Sequence, residues 1–198
     1  MPGLCFKNNN LEELTMFLPL LTKRRSTRKY KRQEIEKVKI EKLIKAVLLS
    51  PSSKDLRPCE FIFINDKTLL EKLSHSKPHG SAFLANAPLG IVVIADSNIS
   101  DVWIEDSSIA TTFIMLAAEA FNLGSCWIQI RERKYSGTVS SEEFVRNVLS
   151  IPDNRKVLSI VGIGYPDESK SPKDEKDLQY NKIFLNQYGN LYNAMKNM

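Results

Sequence analysis

Helical patterns and short apolar strands alternate along the 198 residues, and this predicts one domain of the α+β or α/β class. Three observations carry the expectation. Residues 105–122 form a long helical pattern that is apolar nearly all round. Four β-branched or alternating runs, at 59–65, 87–96, 125–130 and 156–166, have strand length and are separated by helical segments. No internal repeat and no linker divides the series. Residues 1–10 are expected as an N-terminal extension and 11–198 as the domain.

Each element has its own signal. Residues 11–23 place Leu14, Phe17, Leu18 and Leu21 on one helical face, with Pro19 expected to kink or shorten the helix. Residues 34–49 form an amphipathic helix, with Ile40, Leu43, Ile44, Val47 and Leu48 as its stripe and Glu and Lys outside. The run "SPSSKDLRP" (50–58) is loop chemistry. "CEFIFIN" alternates like a strand, and Asp66 is placed to cap the short helix that follows. "APLGIVVIAD" reads as a strand buried on both faces. In 105–122, Ile109, Phe113, Leu116 and Ala120 make one stripe and Ala110, Ile114, Ala117 and Phe121 a second, so the helix belongs in a core or an interface. Gly124 in "NLG" is the expected left-handed stop. A strand, the helix "SSEEFVRNVLS" and a last buried strand follow. After Pro166 the chain is polar and lysine-rich, with too little apolar surface to pack unless something ties it down.

Composition narrows the function classes. With 42% hydrophobic and 26% charged residues, the chain can bury a full globular core. No apolar run approaches the ~20 residues that cross a bilayer. The opening "MPGLCFKNNN" lacks the basic and then apolar pattern of a secretory leader, so a cytoplasmic location is expected. The three cysteines, Cys5, Cys59 and Cys126, are widely spaced with no CxxC pair, which argues against a disulfide framework or a zinc site. His75 and His79 have the four-residue spacing of a metal pair, but Pro78 between them disturbs the helix such a pair needs; no metal site is expected. The net charge of +5 favours anionic partners without naming them.

The basic residues concentrate at Lys23–Tyr30, "KRRSTRKY", where five of eight are cationic. If this stretch is extended, Arg24, Ser26 and Arg28 point one way and Arg25 and Thr27 the other. Two guanidiniums flanking a hydroxyl suit a phosphate monoester, and the clustered cations need an anion to offset their repulsion. A solvated basic helix end has the same composition. Other phosphate signatures are missing. "GIGYP" lacks the third glycine of a dinucleotide fingerprint and opens no helix, and no GxxxxGK[ST] loop exists. The neighbouring carboxylates Glu105–Asp106 and Glu142–Glu143 read as helix-start charge. Nothing near Cys126 in sequence lowers its pKa as a nucleophile requires.

Five segments in register carry a resemblance: "RRSTRKY", "SPSSKDLRPCEFIFI", "ANAPLGIVVIAD", "NLGSCWIQI" and "VLSIVGIGYP". In this order and spacing, from about residue 20 to the end, the chain resembles the FMN-dependent nitroreductase family. The resemblance implies an α+β fold with a central mixed sheet flanked by helices, and an intertwined homodimer with FMN at the interface. It implies that Arg24, Arg25, Ser26 and Arg28 form the first flavin-binding segment. Arg24 and Ser26 are then phosphate or ribityl contacts, and Arg28 is a cation near the N1/C2=O edge of the ring. Pro51, Ser52 and Ser53 match a loop supplied by the other subunit. Cys126, Trp127, Ile128 and Gln129 match the strand that passes the flavin. A tail lysine adds to the phosphate site, with Lys173 the candidate and Lys170 and Lys176 as alternatives, and the tail reaches the partner.

Three positions depart from the family's pattern. Asp55 stands where Asn is frequent, Arg57 where Gln or Arg is found, and Cys59 where Trp is common. Asp55 is expected to bring an acid near the flavin. His79, Gly80 and Ser81 lie in about the region that recognises the pyrimidine edge, without a clear match. The expected activity is transfer of electrons from NAD(P)H through FMN to a nitroaromatic or quinone-like acceptor by ping-pong turnover. A flavin carrier or sensor is the alternative. A nucleic-acid-binding domain would show a steep loss of affinity with salt, but no recognition-helix pattern is present, and no nucleic-acid or membrane partner is expected.

Overall fold

In the computed structural model, residues 17–192 are described. The expected extension at 1–10 and the first part of the expected helix at 11–23 lie outside them. Helix α1 spans Phe17–Lys23, continuing past Pro19, and α2 spans Lys37–Leu48. Strand β1 (Cys59–Ile64) leads to α3 (Lys67–Ser74), and β2 (Leu89–Ala95) leads to the long α4 (Trp103–Ala120). Strand β3 (Gly124–Gln129) is followed by a small hairpin, β4 (Lys134–Ser136) with β5 (Val139–Ser140). Helix α5 (Ser141–Leu149) precedes the last strand, β6 (Lys156–Gly164).

The sheet order is β1-β2-β6-β3. Its long ladders are antiparallel, and its parallel component is a bridge between Ser26 and Ser125 at the β3 edge. Strand β2 is buried along its whole length, as its unbroken β-branched run predicts. Leu89, Ile91 and Val93 join Leu43 and Val47 of α2 and Ala110, Ile114 and Ala118 of α4 on one face. Val92 and Ile94 face the second core layer, with Leu70 and Leu73 of α3, Leu84 and Val145 of α5. The chain is therefore three layers, with a helical layer on each side of the sheet.

Only one stripe of α4 packs within the chain; Ile109 and Phe113 of the other remain 39% and 36% exposed. On α2, Leu43 and Val47 are buried while Leu48 is 66% exposed. The stop of α4 is Asn122, with φ of 58°, and not Gly124. The Leu123 N–H donates to the Ala118 carbonyl at 2.8 Å, closing the six-to-one turn that Asn tolerates. Gly124 serves a different need, the close approach of another segment. The expected cap is present: Asp66 accepts from the Leu69 N–H at 2.9 Å.

The loop before β1 is held from α4. Asp106, 3% exposed, accepts the Ser53 N–H at 2.8 Å and the Ser100 hydroxyl at 2.9 Å. Sequence alone gave this carboxylate only a helix-start role. The loop needs an external hold, because Lys54, Asp55 and Arg57 all have left-handed backbones, with φ of 50°, 55° and 50°. The polar tail is tied down as well. Lys29 O accepts the Asp167 N–H at 2.9 Å, Thr22 O accepts the Lys173 N–H at 2.9 Å, and Glu168 accepts from the N–H groups of Arg28 and Lys29.

Replacing Asp106 by Ala strands one buried and one partly buried donor. It is expected to lower unfolding free energy by about 2 kcal/mol or more, with Asp106→Asn costing less because it keeps an acceptor. Urea titration of the three proteins checks the order. Glu168 predicts a pH dependence. The Arg28 N–H, followed by Lys170 and the Lys29 N–H, holds its carboxyl below the ordinary 4.5. A depressed carboxyl pKa stabilises the fold fully above the unfolded value, and that contribution is lost as pH falls through the folded value. Thermal melts of wild type and Glu168→Gln should differ by a constant amount near neutral pH and converge in acid below 4.5. A gap that persists in strong acid would contradict the tie.

Candidate functional site

The segment after α1 runs extended along the edge of β3. The Thr27 N–H donates to Ser125 O at 2.9 Å, and the Lys31 N–H donates to Tyr165 O at 2.9 Å beyond the end of β6. Gly124 makes the approach possible: a Cβ there would lie 2.6 Å from the Thr27 side chain. Arg25 and Thr27 share one side, as expected for an extended segment. Arg25 and Thr27 line a cavity of about 200 Å³ with Lys23, Glu119, Glu168 and Lys170. The Arg25 guanidinium is spent there on Ser171 O at 2.6 Å. Ser26, half-buried, pairs with Ser125 in the parallel bridge, and its hydroxyl acts to lower the pKa of the Cys126 thiol. Arg24, half-buried, follows α1 directly and donates its N–H to Leu20 O at 3.0 Å.

Burial pushes the Cys126 thiol pKa up, while Arg28, Ser26, Lys170 and Lys77 pull it down. Of these, Lys170 is held at the segment by its bond to Ser26 O, and Arg28 and Lys77 act on the thiol through their charge. Lys77 was not found by sequence reasoning. Its pKa is lowered, first by burial and then by the Arg133 charge, with Cys126 opposing. The signal was hidden because "SHSKPHGS" reads as a polar loop. That loop is folded back by Ser81, whose hydroxyl is committed to Ser74 O at 2.6 Å and Lys77 O at 3.2 Å. His79 and Gly80 stay exposed.

Strand β3 presents the remaining residues. Cys126 and Ile128 are buried toward the core; Trp127 and Gln129 share the other face, with the indole N–H donating to Gln129 Oε1 at 2.9 Å. The tail delivers Lys170 to the segment, where its ammonium donates to Ser26 O at 2.5 Å and lies 3.2 Å from Glu168. The Lys173 ammonium lies 3.6 Å from Asp177, and Lys176 pairs with Asp174 at 3.0 Å. Of the three tail lysines, Lys170 is the one that meets the basic segment.

Pro51, Ser52 and Ser53 are not brought to this point. Their loop enters β1, the opposite edge of the sheet, so three strand spacings of about 4.8 Å each separate it laterally from β3. Asp55 does not act as a lone acid. Arg57 grips its carboxylate with two bonds of 2.7 and 2.9 Å, which lowers its pKa and leaves the pair neutral. Among the described residues no cluster of three or more His, Cys, Asp or Glu could hold a metal ion. No helix of the described residues is long and apolar enough to cross a membrane.

Comparison with known proteins follows the same residues. The sequence profile of the Nitroreductase family matches residues 21–77 and 70–165. A relative from Archaeoglobus fulgidus, named "Putative NADH dehydrogenase/NAD(P)H nitroreductase", is 38% identical over 164 residues, covering 81% of this chain and 87% of its own. The solved structure of an FMN-dependent nitroreductase from Clostridium difficile is 48% identical and superposes with a TM-score of 0.85, covering 86% of this chain and 99% of its own. The NADPH:FMN oxidoreductase of Vibrio harveyi, at 22% identity and a TM-score of 0.72 over 89% of this chain and 79% of its own, shares the fold. With its fold, its basic segment on β3 and these matches, the chain belongs to the nitroreductase family.

Proposed function

We propose that the chain is an FMN-dependent oxidoreductase that draws electrons from NADH or NADPH and reduces an electron-poor acceptor, a nitroaromatic or a quinone-like compound. The observation that carries this reading is the basic segment, with the donors Arg25, Ser26 and Arg28, laid along the edge of β3 and joined there by Lys170 from the tail. These donors fit FMN. A phosphate monoester needs cations and hydroxyl donors together, and a ring that becomes negative on reduction needs a cation beside it. Arg24, Arg25 and Ser26 are assigned to the phosphate and ribityl chain, with Lys170 or Lys173 added from the tail. Arg28 is assigned to the N1/C2=O side of the ring, where its charge favours the reduced form. The edge of β3 at Cys126, Trp127, Ile128 and Gln129 offers backbone groups to the ring. Bound in this way, FMN would take a hydride from NAD(P)H and give electrons to the acceptor in a second half-reaction after the first product leaves. No side chain then has to act as acid or base, which agrees with a site rich in cations and free of any nucleophile–base pair. The nucleic-acid reading loses ground, since the Arg25 guanidinium is engaged by the tail at Ser171 O.

The same reading includes a homodimer. Pro51, Ser52 and Ser53 are separated from β3 by the width of the sheet, so a second copy has to supply them to a flavin on that strand. The exposed stripe of α4 and the outer face of α2 offer the apolar surface for that copy. The tail adds to it with Ile183, Leu185 and Leu191, all about half exposed.

Two outcomes test the reading. Purified protein should carry or take up FMN, and its visible spectrum should bleach anaerobically on addition of NADH or NADPH; Arg24→Ala with Ser26→Ala should abolish flavin uptake. Flavin that binds but stays oxidised would mark a carrier or sensor. Full occupancy in the double variant would refute the phosphate assignment. Sedimentation equilibrium should give twice the 22.5 kDa chain mass. A flavin-loaded monomer would refute the shared site.

A further inference from the structure

Glu168 is a carboxylate at a site read as binding a phosphate. Like charges repel, so its presence there needs a purpose. Its Oε1 accepts the N–H of Arg28 at 2.6 Å and that of Lys29 at 3.2 Å. Consecutive N–H groups that converge in this way form a small concavity for an anion. Glu168 fills that concavity from within the chain, so the concavity is not the seat of a phosphate. The same carboxylate lies 3.2 Å from the Lys170 ammonium, which also donates to Ser26 O at 2.5 Å. Two of the three ammonium N–H groups are then accounted for, and the third has no protein acceptor among the described residues. The neighbouring bonds act in the same sense. Asp167, Ser171 and Lys173 each contribute a backbone group to residues 22–29. Among the described residues, Glu168 alone holds two adjacent residues of the segment and a cation at once.

We propose that Glu168 is the positioning residue of the flavin-phosphate segment: it fixes the Arg28–Lys29 backbone and the Lys170 ammonium together, so that Ser26 and Arg28 keep their side chains on the β3 side with Lys170 as the tail's cation. This rests on the FMN reading above and goes beyond it, because it gives Glu168 a role toward the segment and not toward the flavin. Its acid is not a repulsive accident. It is a built-in acceptor that shapes a cationic segment before the cofactor arrives, which is preorganisation.

The test is FMN titration of apoprotein, followed by flavin fluorescence, well below each variant's melting midpoint. Wild type should bind, and failure to do so would overturn the FMN reading together with this one. Glu168→Ala should weaken the dissociation constant by about tenfold or more, since two donors and a cation lose their shared acceptor. Glu168→Gln keeps an oxygen for the two N–H groups and should restore binding to within about threefold of wild type. Where the Ala variant is unfolded, Glu168→Asp carries the same test. It keeps the charge on a shorter arm that no longer reaches, and it should bind as weakly as expected for Ala. A merely structural tie lowers the melting midpoint and leaves the dissociation constant of the folded protein unchanged. Wild-type affinity in Glu168→Ala or Glu168→Asp, or a Gln variant as weak as either, would overturn the proposal.

Discussion

The close approach of residues 26–30 to β3 and β6 is the contact on which the rest of the site depends. It requires backbone without side chains. A Cβ on Gly124 would meet Thr27 at 2.6 Å, and one on Gly164 would meet Tyr30 at 2.9 Å and Pro88 at 2.6 Å. Tyr30 then locks the turn of the segment, its hydroxyl lying 2.7 Å from Thr27 O and 3.0 Å from Gly162 O. Burial raises the phenol pKa, so it stays a neutral donor. With Thr27 and Tyr30 pressed inward, the residues between and beside them have no choice of face. The exposure of Arg28 and Lys29 between them is thus set by packing and not by the charges themselves.

The tail illustrates how little apolar surface is needed once charge and backbone cooperate. Residues 167–173 bury few large side chains, yet they follow the basic segment through backbone bonds and one carboxylate. The like charges of the segment are thereby answered from a distant part of the chain. An exposed pair such as Asp55–Arg57 contributes little to stability by comparison. Its effect is to cancel a charge on a loop whose backbone is already strained.

Much of the fold was legible in the sequence. Strand β2 declared itself by an unbroken apolar run, α4 by two stripes, and α3 by the Asp66 cap, because each depends on local periodicity or one local bond. The stop of α4 was misplaced because two neighbouring residues, Asn122 and Gly124, both suit a left-handed turn, and only the distant Thr27 decides which one is free to do something else. Around the candidate site, strand β3 and the shared side of Arg25 and Thr27 were legible through local pattern. Lys77, Glu168 and Asp106 were not. Each acts across a large sequence separation on a backbone or a neighbouring charge, and nothing in the spacing around it signals that. The hairpin of β4 and β5 was also missed, since strands of three and two residues have no periodicity to read.

The order β1-β2-β6-β3 reaches beyond architecture. It sets the loop at 51–53 and the basic segment on opposite rims of one sheet. In the proposed dimer, each chain therefore gives its loop away and borrows another. The quality of a site is then inherited from two molecules, and a chain with a damaged loop impairs its neighbour's site while its own remains served. Cofactor retention also follows mass action: dilution that parts the chains takes half of every site with it. A single strand order in the sheet thus makes the concentration of the protein a variable of its own chemistry.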